Sequence, residues 1–182
     1  MELVSGEEAL IERASGQPSP FQIKNILVPM DFSLCAQKAL RYAVPLAQQN
    51  AAAITLLHVL PGYVTGGLST VDYVQLRGEM RASAESQLSA LAAQESKGDM
   101  KICFRTTEGD PAAEILSTAK DLPADLIVVS THGRTGLTRA LLGSVAEHVV
   151  RRAPCPVLVM REREHEFVQP TVTGANASGG LT

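Results

Sequence analysis

Residues 23–33 read Ile-Lys-Asn-Ile-Leu-Val-Pro-Met-Asp-Phe-Ser, an apolar run that ends in an acid, an aromatic ring and a serine. The run suits a strand buried on both faces. Ser33 suits the N-cap of a helix over residues 34–49, where Leu40, Val44 and Ala47 recur at spacings of three and four. Pro45 inside that helix predicts a kink. The alternation then repeats toward the C-terminus. Residues 53–60 (Ala-Ile-Thr-Leu-Leu-His-Val-Leu) form a second apolar run, closed by Pro61-Gly62. A long helix is expected over 71–96, with Leu76, Met80, Ala84, Leu88 and Leu91 on one stripe. A third strand follows over 101–107. Asp110-Pro111 places a cap and a first-turn proline before a helix over 112–120. Residues 124–130 (Ala-Asp-Leu-Ile-Val-Val-Ser) make a fourth strand, 144–152 a helix and 156–160 a short last strand.

Strands separated by helices must be joined by crossovers, and crossovers make parallel sheets. The expected fold is therefore α/β: a doubly wound, Rossmann-like, five-stranded parallel sheet with helices on both faces. A ligand of such a sheet belongs at the carboxyl ends of the strands, where the strand order reverses. No second copy of the unit is visible.

Composition agrees with one globular domain. Of 182 residues, 45% are apolar and 19% charged, enough apolar surface to bury a core. The net charge is −3 and no basic block exceeds Arg151-Arg152, which argues against nucleic acid as a partner. No apolar run approaches the roughly 20 residues of a membrane helix, and the acidic start is unlike a signal peptide. Cys35, Cys103 and Cys155 are an odd count at long spacings, neither a disulfide framework nor a zinc pattern. These features read as a reduced, cytoplasmic, soluble protein with no membrane association. Residues 1–22 read as an extension and linker, 23–161 as the domain, and 162–182 as a flexible tail or an arm that orders on a partner.

Two loops at strand carboxyl ends carry the chemistry. The first is Pro29-Met30-Asp31-Phe32-Ser33. The second is Ser130-Thr131-His132-Gly133-Arg134-Thr135-Gly136, running on to Leu142-Gly143-Ser144 at a helix start. Glycines admit an anion close to backbone N–H groups, and a helix start adds unpaired N–H groups and a positive dipole end. Gly143-Ser144 is thus a candidate phosphate seat. A side chain added at Gly143 is expected to block phosphate approach while leaving the sheet intact. Asp31 suits either hydrogen bonds to ribose hydroxyls or helix capping alone. If the first and fourth strands are neighbours, Asp31 and the Gly133 loop face one crevice. The P-loop pattern and G-x-G-x-x-G are both absent. His132 reads as a loop-orienting residue or a catalytic one, and His58 as a satisfied core or strand-end histidine. Arg134 and Arg139 meet phosphate or solvent, and Arg151-Arg152 suit a helix C-terminus.

The stretch Ser-Thr-His-Gly-Arg-Thr-Gly-Leu-Thr-Arg-Ala-Leu-Leu-Gly-Ser-Val-Ala-Glu-His-Val-Val-Arg-Arg-Ala-Pro-Cys-Pro-Val-Leu-Val-Met-Arg, residues 130–161, closely resembles the universal stress protein family. So do residues 26–33 and Leu56-Leu57-His58-Val59. The nucleotide-binding branch of that family carries G-x2-G-x9-G-[ST]. Here Gly133, Gly143 and Ser144 fill the later positions, while Ser130 replaces the first glycine. The resemblance implies that Asp31 holds ribose beside Pro29, that Val59 meets adenine through its main chain, and that the backbone around Ser130, Gly133, Gly143, Ser144 and Val145 takes the phosphates. It implies an ATP-binding protein, with AMP or another adenine nucleotide as alternative ligands and magnesium arriving on the phosphates. It also implies a cytoplasmic stress-response regulator or sensor, homodimeric through the last strand, 157–160. No catalytic or metal-ligating residue is assigned. The alternatives are a stress protein that binds no nucleotide and acts by protein contacts, as Ser130 suggests, and a slow ATP hydrolase or autophosphorylating protein using Ser144 or His132.

Overall fold

A computed structural model describes residues 22–62, 70–96, 100–131 and 142–161. Gly133, with His132, Arg134 and Arg139, lies outside the described residues, as do most of the N-terminal extension and the C-terminal tail. Five strands and four helices alternate: β1 (Asn25–Pro29), α1 (Leu34–Asn50), β2 (Ala53–Pro61), α2 (Thr70–Glu95), β3 (Ile102–Gly109), α3 (Pro111–Asp121), β4 (Leu126–Ser130), α4 (Ser144–Arg152) and β5 (Val157–Met160). All pairings are parallel and the strand order is β3-β2-β1-β4-β5. The chain adds strands outward from β1 to β3, then returns to the other side of β1. The reversal therefore falls between β1 and β4.

Alternation along the strands divides the core. Ile26 and Val28 of β1 face one side with Ile54, Leu56 and Val128, where α1 and α2 cover them through residues such as Ala39, Leu40, Ala43 and Leu88. Leu27, Leu57, Ile127 and Val129 face the other side, against Ile115 and Ala119 of α3 and Ala146 and Val149 of α4. A central strand buried on both faces cannot carry a polar face, which is why β1 and β4 read as unbroken apolar runs. β3 pairs only with β2, and its Cys103, Phe104 and Arg105 are exposed.

Local chemistry sets the helix ends. Ser33 caps α1, its hydroxyl accepting from the Ala36 N–H at 3.1 Å. The helix runs unbroken through Pro45 and ends at Ala51, which sits in the left-handed region at φ 51°. Asp110 caps α3 through the Ala113 N–H at 2.9 Å, with Pro111 opening the helix. In α2 the expected stripe is buried most deeply at Ala84 and Leu88. The N-terminal half of α2 is tied to the sheet by charge. Arg77 and Arg81 both pair with Glu108 of β3, and Arg81 also donates to the Thr106 hydroxyl. At the C-terminus of α4, Arg151 pairs with Glu147 one turn earlier at 2.9 Å.

Candidate functional site

At the carboxyl ends of β1 and β4 the structure forms a cavity of about 320 Å³. Two strands that diverge in their connections leave a gap between their following loops, and here the gap lies at the β1–β4 reversal. Seven of the eight candidate residues line it: Pro29 at the end of β1 and Asp31 just after it, Val59 in β2, Ser130 at the end of β4, and Gly143, Ser144 and Val145 at the start of α4. Gly133 is the eighth and lies outside the described residues.

Asp31 braces the start of α1 without itself capping it. Its Oδ1 accepts from the Ser33 N–H at 3.1 Å and from the Ser33 hydroxyl at 2.6 Å, and Ser33 is the cap. No described residue donates to Oδ2. The two readings of Asp31 are therefore compatible, because bracing the cap engages one carboxylate oxygen, Oδ1.

Ser130 ends β4 with its partner Met160 across the sheet. It is not among the positive-φ residues of the described chain, which are Phe32, Ala51 and Pro123 besides Gly109. The backbone at Ser130 is therefore one that any residue adopts, and the departure from glycine there introduces no strain.

Gly143 differs from expectation in a specific way. Its φ of −60° and ψ of 150° are ordinary, so conformational freedom is not what requires glycine. Room is. A Cβ built there would lie 2.8 Å from the carbonyl oxygen of Thr131, the same oxygen that accepts the Gly143 N–H at 2.8 Å. Thr131 in turn donates its N–H to Met160 O at 2.8 Å. The close neighbour is thus the chain itself, and a side chain at Gly143 disturbs the joint between β4 and α4 as well as any anion. As N-cap, Gly143 supplies no side-chain hydrogen bond, so the N–H groups of the first turn of α4 carry no side-chain cap.

Several lining residues escaped the sequence reading. Pro111 and Ile115 of α3 and Leu57 and His58 of β2 are among them. His58 has a partner, as expected, with Nδ1 2.7 Å from Met30 O, but it lies within β2 and not at its end, because the ladder with β3 runs on to Pro61. Its ring also lies 4.7 Å from that of Phe32, which adopts φ 66°. The signals for these contacts were Asp31-Phe32-Ser33 and the histidine of the second apolar run, but nothing in one dimension brings the two together.

Of the cysteines, Cys35 is buried and donates weakly to Met160 O at 3.6 Å, while Cys103 is exposed. The Cys155 thiol is pushed above its ordinary value, first by burial and then by the negative charge of Asp125. Among the described residues no group of three or more His, Cys, Asp or Glu is placed to hold a metal ion, and no helix is long and apolar enough to cross a membrane.

The universal stress protein family matches residues 22–161 of this chain. Universal stress protein MJ0531 of Methanocaldococcus jannaschii is 35% identical over 144 residues, spanning 79% of this chain and 85% of the relative. The solved structure of MJ0577, from the same organism, superposes with a TM-score of 0.69 at 29% identity, covering 79% of this chain and 99% of that one. Two further structures share the fold at 22% identity, each covering 77% of this chain and 98% of its own. One is a universal stress protein in complex with cAMP, TM-score 0.59. The other is the universal stress protein from Archaeoglobus fulgidus in complex with dAMP, TM-score 0.53. Adenine nucleotides are thus ligands of some proteins with this fold.

Proposed function

This chain belongs to the universal stress protein family, and from that premise we propose that it binds an adenine nucleotide, ATP first among them, in the cavity between β1 and β4. The observation that carries the reading is the gathering of Pro29, Asp31, Val59, Ser130, Gly143, Ser144 and Val145 around one cavity. They come from four separate stretches of the chain. A volume of about 320 Å³ lies in the range of small-molecule sites.

The parts divide the ligand by chemistry. Asp31 Oδ2 accepts from ribose hydroxyls, while Oδ1 stays on Ser33. The main chain at Val59 meets the adenine edge, against the apolar wall of Leu57 and Ile115. The N–H groups at the start of α4 face the phosphates, where the dipole of the nine-residue helix favours negative charge. Gly133 completes the phosphate loop by its place in the sequence. Magnesium enters on the phosphates, since the described residues hold no ligand cluster of their own. The ordinary backbone at Ser130 supports nucleotide binding over the alternative in which serine marks a protein that binds none.

The nucleotide acts as a signal rather than a fuel in this reading, biasing a surface that a partner sees in a cytoplasmic stress response. The protein is a homodimer through β5, which lies at an edge of the sheet and, among the described residues, pairs with β4 alone. Pairing across a twofold covers the backbone of Val157, Leu158 and Val159.

The test is thermal denaturation with ATP and magnesium, GTP serving as control. Ligand at 100 times its Kd adds about 2.7 kcal/mol to the folded state. A rise in Tm with ATP and none with GTP is expected, and Asp31→Ala should abolish it. No rise at millimolar ATP would sink the proposal. Light scattering would show the dimer as a particle of twice 19.3 kDa.

A further inference from the structure

The exit of β1 is held by β2 in an unusual way. Met30, the residue before Asp31, gives its N–H to Leu57 O at 2.8 Å, and its carbonyl lies 2.7 Å from His58 Nδ1. A carbonyl oxygen only accepts, so Nδ1 of His58 must carry the proton and donate. Met30 is thus clamped on both backbone groups by consecutive residues of β2. The next residue but one, Phe32, is in the left-handed region at φ 66°, a conformation that costs a bulky residue energy. Two contacts hold it there: its ring against the His58 ring at 4.7 Å, and its carbonyl accepting from Gln37 Nε2 at 3.3 Å. Asp31 lies between the clamped residue and the strained one. Its carboxylate is then steered by Ser33.

Ordinary β1–β2 pairing does not require a side chain to reach across to the neighbouring strand's last carbonyl. The parallel register pairs Pro29 with Leu57 as the last matched residues. His58 therefore extends the β1–β2 contact beyond the ladder, by one side-chain bond, to the peptide that carries Asp31. Since His58, Met30 and Asp31 all line the cavity, the bond sits in the wall of the site. From this geometry we propose that His58 is a positioning residue: through Nδ1–H to the Met30 carbonyl and its ring against Phe32, it sets the direction from which Asp31 meets the ligand's ribose.

The inference rests on the adenine-nucleotide reading and is tested so that the two fail separately. In the full-length chain, the ratio of Kd for 2′,3′-dideoxy-ATP to Kd for ATP isolates the ribose contact, because adenine and phosphates are common to both. Hydrogen bonds to a carboxylate make that ratio roughly ten- to hundred-fold in the unaltered protein. His58→Leu, which keeps an apolar body but no donor, should bring the ratio close to one by weakening ATP alone. His58→Asn places an amide donor where Nδ1 stands and should restore part of the ratio, the share carried by the bond to Met30 O and not by the ring. The protonation state of the ring is read without any variant or ligand, from nitrogen chemical shifts of the neutral imidazole, and should show the proton on Nδ1. The inference is overturned by a proton on Nε2, by His58→Leu retaining the original ratio, or by that variant losing ATP and dideoxy-ATP alike. A protein with no affinity for any adenine nucleotide before substitution instead overturns the reading of the site, and the ribose role of His58 with it.

Discussion

Gly143→Ala is the substitution whose cost follows most directly from the structure. The added Cβ would stand 2.8 Å from Thr131 O, whereas ordinary van der Waals contact begins at 3.4 Å, so something must move by about 0.6 Å. The obstacle is backbone, and it cannot rotate aside. Moving α4 away stretches the 2.8 Å bond from Gly143 N–H to the same oxygen to about 3.4 Å, beyond useful hydrogen-bonding range. The steric relief and the bond loss are therefore one event. Overpacking of this kind costs about 1–3 kcal/mol and a lost backbone hydrogen bond about 1 kcal/mol. With relaxation shared along the nine residues of α4, a net cost of about 2 kcal/mol is expected, or a fall in Tm of roughly 4–8 °C. Because the dihedrals are ordinary at φ −60°, none of this cost is conformational strain. Gly62→Ala is the matched control, since its Cβ would meet Gly109 Cα at an ordinary 3.5 Å. Thermal melts followed by circular dichroism compare the two. Titration with ATP and with adenosine then asks whether the displaced helix start weakens phosphate binding alone. A Gly143→Ala protein that melts with the unaltered one and binds ATP equally would refute both the steric argument and the placing of phosphate at α4.

Other outcomes follow from the same coordinates. Ala51→Gly should stabilise the protein by about 0.5–1 kcal/mol in urea denaturation, because Ala51 ends α1 at φ 51° with an exposed side chain. Gly78→Ala, on an exposed face of α2 with nothing among the described residues beyond its own helical turns within 4 Å of the new Cβ, should stabilise by about 0.5–1 kcal/mol; a loss of stability would show the helix is strained there. Alkylation should label exposed Cys103 before Cys155 and buried Cys35 last. Burial and then Asp125 raise the Cys155 pKa, so at neutral pH less thiolate is present than in a free thiol and its reaction is slower. Asp125→Asn keeps an oxygen for the Lys24 and Asn25 N–H groups but removes the charge; it should speed Cys155 labelling and shift its pH profile downward, though only by the smaller of the two causes.

Much of this protein is written in one dimension. The apolar runs over β1, β2 and β4 are long enough, and free enough of polar residues, to mark strands buried on both sides, because a parallel sheet under two helical layers keeps its inner strands out of water. Ser33 and Asp110-Pro111 mark helix starts because the signals act within three residues of themselves. The family likeness, carried by 130–161, singled out residues that the fold gathers around one cavity.

What the sequence could not specify is everything that depends on which strands are neighbours. Asp31 and Gly143 share a wall only because β4 returns to pair with β1, a choice made by packing between elements about a hundred residues apart. The adjacency of β1 and β2 likewise turns His58 from a lone histidine in an apolar run into the donor on Met30. Gly143 is the sharpest case. Read along the chain, it is a glycine at a helix start; in three dimensions it is the point where two backbones come within a hydrogen bond of each other, with no room for a methyl group between them. Local patterns report local energies. Close approach between distant backbones is settled only when the whole sheet has assembled.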